Sequence, residues 1–194
     1  AISKLPHCGA TIDASQPERV EQLFRMAHGQ MKERQERLSQ FASLEDYNAQ
    51  RRDDPENRFP AILVVIDNFA EFQESYEHLL PDLIALIRDG RALGIYYVIT
   101  AGTPNDLGGK LYNLFSQRVT FTLADASMYA DVVGRGALSL ANTPGRGLVS
   151  LEGQPLEFQV GMPVIEGEED PYSLIGERME KIWLGQGGRR PAAE

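Results

Sequence analysis

The chain has 194 residues, 42% of them apolar and 24% charged, and a formal net charge of −9. That length and composition fit one ordinary globular domain, and the acidic balance argues against a broad basic face for gripping nucleic acid. The longest unbroken apolar run, Ala61 to Ile66, is far too short to cross a bilayer, and Cys8 is the only cysteine, which excludes an internal disulfide and a thiolate metal cluster.

A reducing cytosol is the compartment this cysteine usage suggests, and no charged-then-apolar leader reads at the amino end. Leu5 to Ile12 has loop chemistry and looks like the end of a connection, with His7 a lone packing histidine. Ser15-Gln16-Pro17-Glu18 opens a helix, with Ser15 as cap, Glu18 closing a capping box and Pro17 in the first turn. Val20, Leu23, Phe24, Ala27, Met31 and Leu38 recur at helical spacing and predict a buried face; Arg19, Lys32, Glu33, Arg34, Glu36 and Arg37 read as the solvated one. A second short helix is expected over Phe41 to Arg51, followed by a polar, proline-broken loop to Asn57.

Ala61 to Ile66 is rich in β-branched residues and runs straight into Asp67. It reads as a strand buried on both faces, the type found in parallel sheets. An aspartate at its carboxyl end sits where open α/β sheets bind ligands, although Asp67 and Asn68 are also good helix caps. Tyr76, Leu79, Leu80, Leu83, Ile84 and Ile87 share a helical face; Pro81 starts or kinks that helix and Gly94 stops it. A second buried strand spans Ile95 to Ala101, a third Arg118 to Leu123, with a short helix over Leu111 to Phe115 between them. Asp125 caps a helix to Val133. Leu148 to Leu151 and Leu156 to Val160 form a hairpin. An acidic loop over Glu166 to Asp170 leads to a last amphipathic helix, Pro171 to Leu184. Strand–helix alternation from 61 to 133 predicts an α/β fold with a mostly parallel sheet flanked by helices.

In order and spacing these features resemble the motor domain of the FtsK/SpoIIIE family, RecA-like P-loop ATPases that include DNA translocases and the EccC/EssC/YukB ATPases of type VII secretion. Leu5-Pro6-His7-Cys8-Gly9 is similar to the family's "(I/L)PH" segment, and Met31-Lys32-Glu33-Arg34 with Leu44 to Asn48 to its "M-x-x-R … YN" pattern. Ile62 to Phe72 resembles Walker B and the "FAEL/FADM" that follows. Arg91-Ala92-Leu93-Gly94-Ile95 resembles "RAxGIH", Ala101-Gly102-Thr103-Pro104 "ATQRP", and Arg118 to Ser127 "RI…VSD..dS". The resemblance covers roughly residues 5–165.

What it implies is a RecA-like domain over residues 1–184 with a flexible tail over 185–194, lacking the first core strand and its P-loop, since G-x-x-x-x-G-K-[ST] occurs nowhere and Gly108-Gly109-Lys110 is the only Gly-Lys pair. It implies ATP and Mg²⁺ as cofactors, with Asp67, Asn68 and Gly102 at the nucleotide and Asp67 at the metal. Two departures stand inside the chain. Asn68 replaces the Walker B glutamate that polarises the attacking water, and Gly102 replaces the sensor glutamine. The pattern implies a degenerate ATPase module of a secretion or translocation motor that binds nucleotide or regulates with little or no hydrolysis. Its partners would be neighbouring modules, a hexamer in the full protein, and an exported protein, an export signal helix or DNA. It would sit in the cytoplasm as part of a membrane-anchored protein, without inserting itself. Two alternatives stand beside this. One is a working ATPase, with Glu71 in place of the missing glutamate and Arg91, Arg118, Arg135 or Arg146 as a finger in trans. The other is a non-ATPase α/β binding domain. A sheet without its first strand is expected to expose edges that a shared or companion segment must fill.

Overall fold

The computed structural model describes residues 2–136, 140–162, 170–188 and 190–191. Helix α1 (Pro17–Leu38) is the frame. Its start differs from expectation: Ser15 donates from both its amide and its hydroxyl to Asp13 (2.9 and 2.6 Å), and Gln16 takes the cap position without capping a helix amide, its side chain accepting instead from Arg19 (2.9 Å). The tight Asp13–Ser15 turn points the Ser15 hydroxyl at Asp13, and the cap position falls one residue later. Its apolar side, Val20, Phe24 and Ala27, is buried as the spacing predicts.

Arg34 is the exception to that reading. It is completely buried, and its guanidinium donates to the carbonyls of Leu93 (2.8 Å), Gly94 (3.4 Å) and Pro60 (2.7 Å) while lying over the Phe59 ring. Helix α1 is thereby fastened to the loops that enter both strands of the parallel pair. A charge is tolerated there because three carbonyls accept its protons, that of Gly94 while also accepting the Ile62 amide. Helix α2 (Leu44–Ala49) is shorter than expected and begins at Ser43, whose hydroxyl accepts from the Asp46 amide. The Asn48 amide then bonds both ways with the Phe59 backbone and directs the chain into the first strand.

Strand β1 (Ile62–Ile66) pairs in parallel with β2 (Ile95–Ile99), Ile62 opposite Ile95 and Ile66 opposite Ile99. Helices α3 (Phe69–Ser75) and α4 (Leu80–Gly90) connect them. Pro81 lies in the first turn of α4. Gly94, at φ 74°, closes the turn that follows, where only glycine fits: a Cβ would stand 2.2 Å from Leu44. Phe24, Phe69, Phe72, Tyr76, Leu83 and Leu86 form the core, against which Ile66, Tyr97 and Ile99 pack.

The helices cover one face of the pair only. Leu63 (61% exposed) and Val65 (59%) on β1, in register with Tyr96 and Val98 on β2, point the other way and are bare. The expectation of a strand buried on both faces is therefore corrected: burial alternates along β1 because no described residue covers the second face.

A second sheet holds β3 (Val119–Thr120), β4 (Arg146–Leu151) and β5 (Gln154–Gln159), antiparallel throughout. The expected third strand shrinks to two residues, and the fold is mixed α/β with the parallel pairing confined to β1–β2. Helices α5 (Gly108–Tyr112) and α6 (Tyr129–Val133) are each a little over one turn. Asp125 caps the turn leading into α6, accepting from the Ser127 amide (2.8 Å). Tyr129, Val132 and Val133 bury Leu148 on one face of the sheet, leaving Val119, Phe121, Leu151 and Leu156 exposed. Glu152 and Gly153, both at positive φ, make the two-residue hairpin turn. Helix α7 (Pro171–Gly185) ends the chain's regular structure. Residues 166–169 of the expected acidic loop lie outside the described residues, as do residue 189 and 192–194 of the expected tail. The described tail residues fold back: the Gly188 amide bonds the Trp183 carbonyl (2.8 Å), and Arg190 pairs with Glu180.

Candidate functional site at the strand ends

Parallel strands place both carboxyl ends on one edge, and the chain's acid is there. Asp67 follows β1, Thr100 follows β2, and the two are bonded: the Thr100 hydroxyl donates to Asp67 Oδ1 at 2.5 Å. The same hydroxyl oxygen accepts the Asn68 amide at 2.9 Å. The main chain reinforces the join, Thr100 N–H to Ile66 O (3.0 Å) and Phe69 N–H to Thr100 O (2.9 Å). Asn68 holds φ 58°, ψ 67°, the left-handed region that Asn tolerates better than most side chains. Its side-chain amide donates to Glu71 Oε2 at 3.0 Å, one turn into α3. Asp67, Asn68, Glu71 and Thr100 are all exposed.

Of the residues expected at a nucleotide, the structure brings Asp67, Asn68 and Glu71 together and adds Thr100, which sequence reading missed. The missed signal was a polar residue ending an otherwise apolar strand in register with Asp67. Gly102 lies beyond, on the exposed loop after β2. There the Thr103 amide and hydroxyl bond the Asp106 carboxylate (2.8 and 2.9 Å) in a capping box, which holds that carboxyl below its usual range. A Cβ on Gly102 would come within 3.3 Å of the same carboxylate, so the loop is tailored to Asp106.

The arginines are scattered. Arg91 is exposed and opens the turn before β2, at the opposite end of the pair from Asp67. Arg118 stacks over the Tyr112 ring at 4.1 Å and donates to the Tyr112 carbonyl (3.4 Å), a packing pose. Arg146 is held by Gln159 (3.0 Å) and Glu157 (3.2 Å) across the hairpin. Arg135 is exposed after α6.

The donor set of the described residues does not by itself fit a Mg²⁺–nucleotide. Among the described residues no three acidic, histidine or cysteine groups converge as metal ligands. One Asp67 oxygen is taken by Thr100. Gly108 and Gly109 open the one-turn helix α5 and do not form a phosphate cradle. Among the described residues no helix is long and apolar enough to cross a membrane.

What the geometry does define is an α/β domain with an acid at the carboxyl edge of a parallel pair. No protein-family profile matches the chain. Its homologues are type VII secretion ATPases: it is 29% identical to the ESX secretion system protein YukB of Bacillus subtilis over 96% of its length, and 26% identical to the ESX secretion system protein EccC of Geobacillus thermodenitrificans over 93%. It spans 12% of each of those relatives. Its fold is that of ATPases 2 and 3 of EccC from Thermomonospora curvata, solved in complex with a signal sequence peptide. That match has a TM-score of 0.84 at 20% identity and covers 100% of this chain and 36% of the other.

Proposed function

We propose that this chain is part of a catalytically degenerate ATPase module of a type VII secretion motor, working by binding and packing with little or no hydrolysis. One observation carries the reading: the residue following Asp67 is Asn68, an amide whose NH₂ donates to Glu71, so the position beside Asp67 holds no carboxylate to orient a water. In the working-ATPase alternative Glu71, exposed and one turn into α3, is the substitute base. A DNA-pumping role draws no support from a chain of net charge −9.

The bare faces and unpaired edges of the two sheets support a neighbouring segment or module completing them. In this reading any ATP and Mg²⁺ depend on phosphate-binding and metal-binding groups supplied from outside these residues, and Asp67 is the strand-end acid that remains. The module sits on the cytoplasmic side of a membrane-anchored protein, with neighbouring ATPase modules as partners. A signal peptide, the ligand class of the similar Thermomonospora curvata domains, is the natural candidate cargo.

The test compares equilibrium binding of a fluorescent ATP analogue with multiple-turnover hydrolysis, using this segment joined to its flanking chain. Binding with no turnover is expected. Turnover by this module would contradict the proposal, and no binding by a well-folded protein would favour the non-ATPase alternative.

A further inference from the structure

The mismatch between the strand-end residues and a metal–nucleotide site has a structural counterpart. We infer that Thr100 is a positioning residue that converts this centre into a hydrogen-bond clasp, with Thr100, and not a divalent cation, as the standing partner of the Asp67 carboxylate. This deepens the degenerate-module reading and rests on it only for the claim that a cation has no role here.

The geometry makes the clasp specific. A hydroxyl donates and accepts at a single atom. Thr100 donates to Asp67 Oδ1 (2.5 Å) and accepts the Asn68 amide (2.9 Å), so a single oxygen ties the end of β2 to two consecutive residues beyond β1. The Asn68 amide is a group that the start of α3 leaves without an intrahelical partner, and Thr100 supplies it. The bond to Asp67 is charge-assisted, the stronger class. Asn68 in its left-handed conformation then turns its side chain onto Glu71 (3.0 Å), extending the join into α3. Strand β1, strand β2 and helix α3 thus meet through one continuous chain of bonds, Glu71–Asn68–Thr100–Asp67. Metal ligation at Asp67 Oδ1 would compete with the Thr100 bond, and the clasp holds the junction in one conformation without it.

Backbone amide exchange and Mn²⁺ line broadening, read by NMR on the whole chain, test this in Thr100→Val, which keeps the shape and loses the hydroxyl, and in Thr100→Ser, which keeps the hydroxyl. In the unsubstituted protein and Thr100→Ser the Asn68 amide is expected to be protected; in Thr100→Val it should exchange about tenfold faster, as loss of one such bond implies. Mn²⁺ should leave the Asp67 and Asn68 resonances of the unsubstituted protein unbroadened. Equal exchange in Thr100→Val, failure of Thr100→Ser to keep the protection, or selective broadening at Asp67 by Mn²⁺ in the unsubstituted protein would each overturn the inference. Should Thr100→Val not fold, the Mn²⁺ measurement and Thr100→Ser still decide it. Failure here leaves ATP turnover untouched, so the clasp and the degenerate reading fail separately.

Discussion

At position 68 two properties of one side chain meet. Asn68 has no carboxylate to polarise water, and it occupies backbone space that disfavours a larger side chain. Restoring a glutamate there is therefore more than a chemical repair: Asn68→Glu adds a like charge beside Asp67 and Glu71 in a left-handed conformation. It should cost about 1 kcal/mol of stability in denaturant unfolding, whereas Asn68→Gly should stay within about 0.5 kcal/mol of the parent. Gly94 makes the steric version of the same argument. With φ 74° and Leu44 2.2 Å from a would-be Cβ, Gly94→Ala should lose about 2 kcal/mol or more.

Between elements, the joints are polar and the sheet is apolar. Arg34 bonds the carbonyls at the entries to β1 and β2, so Arg34→Ala should destabilise by about 3 kcal/mol, and Arg34→Lys should rescue only part because one ammonium cannot span three carbonyls. Tyr97 on β2 has a buried hydroxyl without a hydrogen-bond partner, and burial pushes its pKa from 10.0 up to about 12. The unfolded chain ionises this phenol first, so its contribution to stability is full below pH 10.0 and is lost as pH rises towards about 12. Tyr97→Phe should flatten that alkaline loss in pH-dependent unfolding and leave neutral-pH stability equal or slightly higher. These joints also mark what the sequence could show. The periodicity of α1 and α4, the βα alternation, the hairpin turn and Asp67 at a strand end were legible because they depend on local pattern. Arg34 read as a solvent-facing charge, because helical spacing reports a residue's direction and not which carbonyls await it. Thr100 and Asp67 are 33 residues apart and meet only through the β1–β2 register.

For the molecule as a whole, surface is the quantity that stands out. The accessible area is 13343 Å², against about 9,200 Å² for a compact monomer of this mass. Bare apolar faces on both sheets belong to that excess, among them the second face of β1, which the sequence reading had buried. Concentration-dependent light scattering should reveal association of the isolated chain, and Val65→Thr with Val98→Thr should reduce it without lowering the unfolding midpoint. A completed sheet would remove the need for both. The central claim, that the inherited acid edge no longer drives hydrolysis, meets its most direct test in Glu71→Ala within the longer protein. ATP turnover unchanged by that substitution is the result predicted, and a loss of about a hundredfold or more would contradict it.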